Sequence, residues 1–416
     1  MLGVCILKKV PYRICHLAKY YPPMPGGIET HVQTLARAQA DFGAEVHVLC
    51  VNGLAKKKGQ SHRTKTIKEL DKNVEVTSLG RLFSLARFDL CPDLPRRIRE
   101  LINQSNTIIH VHTPNPTMLI AWSIAGVITS VTRRPRTSLV ITHHSDIIKQ
   151  RFLKYALRPI EYWVYSQASC ILTDSSEYIE GSKFLRSFKN NIKALPLGLD
   201  CSGYIQPSKA ALSYSRRLKE KYGAPIWLCV GRLVYYKALH VAIEALALVP
   251  GTLIIIGTGP LEKELKNQAK QLGLENRIVW LGRASADDLT GAYHAATALW
   301  FPSNVRSEGF GLVQVEAMAS GCPVINADIP CSGVSWVSRH EKEGLTVPIN
   351  DPVALAQAAQ RLLDEPDLRK RLATASRDRA CKEFDHRVMA ERSFEIYEQA
   401  LGGSDFKAQP EILRVE

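Results

Sequence analysis

Residues 298–326 read ALWFPSNVRSEGFGLVQVEAMASGCPVIN. A short apolar run, Ala298–Phe301, leads into a polar loop carrying two glycines. An apolar helical stretch follows, with Val313, Val315, Ala317, Met318 and Ala319, and then a second apolar run, Pro323–Asn326. Strand, loop, helix and strand in that order form a βαβ unit, whose strands lie parallel under the helix.

The same alternation continues in both directions. Toward the amino terminus, Ile226–Val230, Thr252–Ile256 and Arg277–Leu281 read as buried strands. Helical patterns at Leu239–Leu248, Leu261–Leu272 and Ala286–Ala296 separate them. Further upstream a first set of strands is expected at Tyr12–Leu17, Glu45–Val51, Thr107–Val111, Ser138–Thr142, Ser169–Thr173 and Ile192–Leu195. Helices are expected at Glu29–Phe42 and Pro116–Ser130, and the tail Val353–Leu401 reads as helical throughout, helix–Pro–helix at Pro366. The fold class is therefore α/β, with two doubly wound, Rossmann-like domains facing across a cleft in which a ligand would bind. The expected domains are 1–200 and 201–384, with a C-terminal helix, 385–416, packing back on the first. The glycine- and proline-containing stretch Leu197–Gly223 reads as the linker.

The 416 residues carry a formal net charge of +14. Residues 1–200 hold 28 Lys+Arg against 15 Asp+Glu, a net +13, and the remainder is nearly balanced at 26 against 25. A basic first half fits an anionic lipid surface or a phosphate-bearing substrate. It is equally a solvated basic surface with no dedicated partner. Nucleic-acid motifs are absent, and no nucleic-acid partner is expected. No apolar run reaches the roughly 20 residues of a membrane-spanning helix. MLGVCILKKV has its lysines after its apolar residues, the wrong order for a secretory signal, and reads as an extension before the first strand. The ten cysteines are scattered without metal-binding spacing, consistent with reduced thiols in a cytoplasmic protein.

Four local patterns carry chemistry. Gly26 and Gly27 lie between a strand and a helix, where backbone amides can approach an anion; the same spacing also suits a plain tight turn. Arg232 and Lys237 follow a strand end, where a planar fork and a point charge can clamp a diphosphate. Glu308 and Glu316 flank the loop Gly309-Phe310-Gly311-Leu312, with Glu316 expected two turns into the helix, buried, and facing the cavity that Glu308 faces. A buried carboxylate needs partners, and the hydroxyls of a diol would satisfy it. His143 and His144 close a strand, the end at which ligands bind in such sheets. With Asp146 the only further candidate ligand nearby, they do not make a metal site.

These motifs in this order resemble the retaining GT-B glycosyltransferases of family 4. The likeness rests on GGIE at Gly26–Glu29, THHSD at Thr142–Asp146, PLGLD at Pro196–Asp200 and VGRL with Lys237. GTGP at Gly257–Pro260, SEGFGLVQVEAMASGCPV at Ser307–Val324 and EGL at Glu343–Leu345 complete it. The resemblance implies a nucleotide-sugar donor held by Gly26, Gly27, Arg232, Lys237, Gly309, Phe310, Gly311, Leu312 and Glu316. Glu308 would touch the donor sugar, and His144 (or His143, since the doublet leaves the register open) would lie near the reacting sugar. No cofactor and no metal is implied, in keeping with the absence of a D-x-D triplet. The family places glycine after the lysine; here Ala238 stands there, tolerable if its φ is negative.

Ile329–Val337 further resembles bacterial polysaccharide and O-antigen mannosyl- or rhamnosyltransferases. That likeness implies GDP-mannose as donor, with UDP-sugars as the rival. The implied acceptor is a lipid-linked sugar or oligosaccharide at the inner face of the cell membrane. Ile147–Gln167, with Lys149, Arg151, Lys154 and Arg158 among aromatics, reads as a basic helix for an anionic leaflet or as one packing its aromatics inward. A nucleotide-sugar epimerase or a non-catalytic sugar-nucleotide-binding subunit are the more distant readings.

Overall fold

The computed structural model describes residues 10–24, 26–54, 63–85, 88–129, 137–145 and 151–402. The first nine residues of the extension before the first strand, Asp146, and the last residues of the expected 385–416 helix lie outside them. The chain forms two compact units: Met1–Thr173 with Ser187–Leu195 and Met389–Glu416, and Asp174–Arg186 with Pro196–Val388.

The strands of the first unit are β1 (Arg13–Leu17), β2 (Glu45–Val51), β3 (Ile67–Asp71), β4 (Val74–Leu79), β5 (Phe83–Leu85), β6 (Phe88–Leu90), β7 (Thr107–Thr113), β8 (Thr137–His143), β9 (Cys170–Thr173) and β10 (Ile192–Ala194). Eight of them form one sheet in the order β10-β9-β8-β7-β1-β2-β4-β3, parallel except for the antiparallel edge strand β3. β5 and β6 pair as a separate hairpin. β3 and β4 were not legible as a pair: β3 reads IKELD and is exposed along almost its whole length, so it has no apolar run. The helix after β1, Gly27–Asp41, buries Val32, Leu35 and Ala36 against Ile14, Val46 and Val48 of the sheet. The final helix, His386–Ala400, adds Met389, Ala390 and Tyr397 to this core, and its Ala400 carbonyl accepts from Ser138 Oγ at 2.7 Å.

In the second unit β11 (Ile226–Val230), β12 (Thr252–Ile256), β13 (Ile278–Gly282), β14 (Ala298–Phe301), β15 (Val324–Asp328) and β16 (Gly344–Pro348) form an all-parallel sheet ordered β13-β12-β11-β14-β15-β16. Counted from its own first strand this is the order 3-2-1-4-5-6 of a dinucleotide-binding sheet. Both faces are apolar. Trp227, Cys229, Leu253, Ile255 and Trp300 pack on one side; Ile226, Leu228, Ile254, Leu299 and Phe301 pack on the other. Alternation within each strand therefore feeds two cores at once, which is why these strands read as unbroken apolar runs.

Two expectations need correction. Leu197–Gly223 is not a linker. It belongs wholly to the second unit, and its helix Lys209–Tyr222 buries Ala211, Ser215 and Leu218. The contact with helix Ala286–Ala295 is so close that a Cβ on Gly291 would lie 2.5 Å from the Ala211 carbonyl. The unit boundaries fall at 195/196 and 388/389, rather than at 200/201 and 384/385, and Asp174–Arg186 joins the second unit. The tail is helical as expected, in three pieces, Pro352–Asp364, Pro366–Glu383 and His386–Ala400, with the expected break before Pro366, which cannot continue the preceding helix. No helix among the described residues is long and apolar enough to cross a membrane. Seven of the nine described cysteines are buried, and all nine are unbridged.

Candidate donor site

In an open parallel sheet, the crevice for a ligand opens where neighbouring strands send their chains in opposite directions. In the second unit that switch lies between β11 and β14. Lys237 follows β11, and Glu308 follows β14. The fold brings them together: Lys237 Nζ lies 2.6 Å from Glu308 Oε2, with each side chain only 12% exposed. The ammonium also stands 4.7 Å from the centre of the Phe301 ring, a cation–π contact.

Glycines make this approach possible. Gly231, at φ 144°, carries the chain past Lys237; a Cβ there would meet Lys237 Cε at 3.2 Å. Gly257, at φ 141°, lies so close behind that a Cβ would stand 1.9 Å from the Gly231 carbonyl oxygen. Ala238, after Lys237, adopts φ 46° and ψ 40°, the left-handed conformation. The negative φ that would make alanine easy there is absent. The residue is buried, and the strain, about 1–2 kcal/mol for a non-glycine residue, is carried by the turn.

The helix after Glu308 spans Leu312–Ala319, with Gly311 capping it at φ 78°. Glu316 is therefore in its second turn rather than two full turns in, and it is half-buried rather than buried. Tyr293 donates its phenol to Glu316 Oε2 at 2.7 Å. Burial raises the Glu316 carboxyl above its ordinary value, opposed by the Tyr293 hydrogen bond and the charge of Lys237. Lys237 thus acts on both glutamates. The Phe310 side chain is 2% exposed and packs edge-on against Phe384, so only its backbone remains available to a ligand. The Gly309 carbonyl accepts from the Gly333 amide at 2.9 Å, and Leu312 is half-buried at the start of the helix. Arg232 is exposed and donates to the Tyr236 hydroxyl at 3.0 Å.

The remaining candidates lie in the first unit. Gly26 precedes the helix after β1, and its carbonyl accepts from the Thr30 amide at 3.0 Å. A Cβ on Gly26 would stand 1.9 Å from Glu29 Oε2, so glycine lets that carboxylate fold against the backbone; Gly27 has open space around it. The two histidines diverge. His143 Nδ1 pairs with the Tyr165 hydroxyl at 2.8 Å, whereas His144 Nε2 lies 3.2 Å from His112 Nδ1 and stacks on that ring. Tyr293, Tyr236 and the histidines joining His144 went unrecognised in the sequence. Tyr293 has no motif around it, and Tyr236 occupies an unspecified position of the VGRL…Lys237 motif. For the histidines a signal existed: His110 and His112, two apart on a strand, must share a face.

Residues 213–379 match the family described as Glycosyl transferases group 1, and residues 25–202 match Glycosyltransferase Family 4. The chain belongs to this family and is a glycosyltransferase; with its two Rossmann-like units it has the GT-B fold. It is 31% identical over 355 residues to the D-rhamnosyltransferase WbpZ of Pseudomonas aeruginosa, covering 85% of this chain and 87% of that protein. It is 28% identical over 381 residues to the O-antigen chain mannosyltransferase C of Escherichia coli, covering 91% and 96%. Among solved structures, a glycosyltransferase from Rickettsia africae matches with a TM-score of 0.71 at 21% identity, covering 95% of this chain and all of that one. Anabaena HepE in complex with UDP matches at 0.70 and 21%, covering 93% and 100%.

Proposed function

We propose that this glycosyltransferase moves a hexose, mannose from GDP-mannose, to a lipid-linked sugar in cell-surface polysaccharide synthesis, with retention of anomeric configuration and without a metal ion. The observation that carries the donor-site reading is the Lys237–Glu308 contact at the switch point of the second sheet, within electrostatic reach of Glu316. Breaking the bond between the sugar and its diphosphate gathers negative charge on the departing phosphate. Lys237 and Arg232 offset that charge, and so do the backbone amides at the helix start after Gly311. Glu316, half-buried and held by Tyr293, accepts the ribose hydroxyls, and Glu308 orients the donor sugar. Gly26, Gly27 and His144 serve the phosphate and the acceptor. The names of the D-rhamnosyl- and O-antigen mannosyltransferase relatives support the sugar class and the pathway.

The basic first half supports a peripheral contact with an anionic membrane. So do Tyr162 and Trp163, which stand 40% and 41% exposed on helix Arg151–Ser166; Lys149, before that helix, lies outside the described residues. The test is turnover of GDP-mannose, against UDP-sugars, with a polyprenyl-diphosphate-linked sugar and EDTA present, followed by the anomeric configuration of the product. Release of GDP with retention is expected, and Lys237→Ala and Glu308→Ala each fall by roughly 10²–10³. Full turnover in either variant removes the site assignment, and a requirement for added metal removes the charge argument.

A further inference from the structure

Five histidines of the first unit lie together: His16 on β1, His110 and His112 on β7, His144 just past β8, and His31 on the helix after β1. Hydrogen bonds order most of them. Gln39 donates its amide to Ser393 Oγ at 2.8 Å and to the Tyr397 hydroxyl at 3.2 Å, which leaves Gln39 Oε1 as an acceptor for His16 Nε2–H at 2.8 Å. His16 Nδ1 then carries a lone pair, and it accepts from His112 Nε2–H at 3.1 Å. His112 Nδ1 is consequently an unprotonated nitrogen, directed at His144 Nε2, 3.2 Å away. His110 is satisfied on both sides, by Tyr397 at 2.7 Å and Thr142 at 2.6 Å.

His31 is the exception. It is 2% exposed, and neither ring nitrogen has a hydrogen-bond partner. Leaving such a group unmade costs about 1–3 kcal/mol, so it is not expected without a reason. Its ring stands edge-on 4.9 Å from that of His144 and 5.6 Å from that of His112. One nitrogen from each of His31, His112 and His144 lies within 4.8 Å of the others. The His112–His144 separation is close to the ~3.3 Å between two ligands of one tetrahedral ion with bonds of about 2.0–2.1 Å. Closing the third from at most 4.8 Å to that spacing requires a shift of up to about 1.5 Å.

We propose that His31, His112 and His144 form a binding site for a zinc-class divalent cation, distinct from the cationic donor site of the second unit. Three imidazoles without a carboxylate in the set select zinc-like ions over magnesium or calcium. The chain His112–His16–Gln39 is the outer shell that fixes the ligating tautomer. The other close set, His16, His110 and His112, is not the site, because it contains no unpartnered ring: both nitrogens of His16 and of His110 have hydrogen-bond partners, whereas His31 has none.

The test uses the full chain purified without a histidine tag, stripped with a chelator and titrated with Co²⁺, read by the visible ligand-field bands of four-coordinate cobalt. The expected result is one Co²⁺ per chain, displaced by Zn²⁺ and indifferent to Mg²⁺. His31→Ala weakens binding more than about 10-fold while leaving the metal-free unfolding midpoint in place. Should that variant fail to fold, His144→Ala is read by the same bands. Absence of saturable bands, or undiminished binding in the folded variant, overturns the proposal.

Discussion

Replacing Lys237 by methionine keeps the apolar stem against Phe301 and removes only the charge. Glu308 is then left 12% exposed, with one long contact from Ser303 Oγ at 3.4 Å. Breaking one side of a fully buried ion pair costs about 3–5 kcal/mol, whereas an exposed pair contributes about 0–1. At this exposure the loss falls nearer the buried limit, about 2–3 kcal/mol. For a unit of this size each kcal/mol lowers the midpoint by about 2–4 °C, giving a fall of about 4–12 °C. Glu308→Gln costs less, about 1 kcal/mol, because the lysine retains Phe301 and reaches water. The double variant removes both charges and returns to within about 1 kcal/mol of the parent, since no uncompensated charge remains. Scanning calorimetry of the second unit's transition measures all three proteins, and nucleoside-diphosphate release measures function. Stability recovers in the double variant and turnover does not. If the two single losses simply add, the pair is not coupled and the reasoning fails.

Glu316→Gln should become more stable relative to the parent as pH rises. The folded carboxyl titrates above its ordinary value of 4.5, so ionising it in the folded state carries a penalty. That penalty is absent below the unfolded value, grows through the window up to the raised one, and is constant above it. Denaturant midpoints of both proteins across that range check this, and a pH-independent difference would contradict it. Ala238→Gly relieves about 1–2 kcal/mol of left-handed strain but gives up a buried methyl worth about 0.8 and frees the unfolded chain by about 0.4–1. The expected net change is within about 1 kcal/mol of zero by thermal unfolding, and a loss above about 2 kcal/mol would mean the methyl's packing outweighs the strain. Gly257→Ala must move the Gly231 carbonyl, 1.9 Å from its Cβ, so it should unfold the second unit or cost more than about 4 kcal/mol. A midpoint within a few degrees of the parent would show that the β11 turn yields freely.

Period and punctuation made the two α/β units legible in the sequence. Runs such as IWLCV and TLIII are apolar at consecutive positions because both sheet faces are covered, and that pattern survives without any knowledge of neighbours. The edge strand Ile67–Asp71 was invisible for the complementary reason: exposed on its outer side, it needs no apolar residues. Leu197–Gly223 was misread because glycine and proline mark turns inside a unit as readily as boundaries between units. Residue types and strand-end positions nominated Lys237, Glu308 and Glu316, but contact is a property of the sheet order. Only that order, with β14 laid beside β11, sets Lys237 against Glu308, and only helix packing brings the Tyr293 phenol to Glu316. The sign of φ at Ala238 and the meeting of His31 with His112 and His144 were likewise decided by tertiary structure. Local sequence encodes hydrogen-bond periodicity and burial, while which distant side chains share a few ångströms depends on how strands are ordered across a sheet.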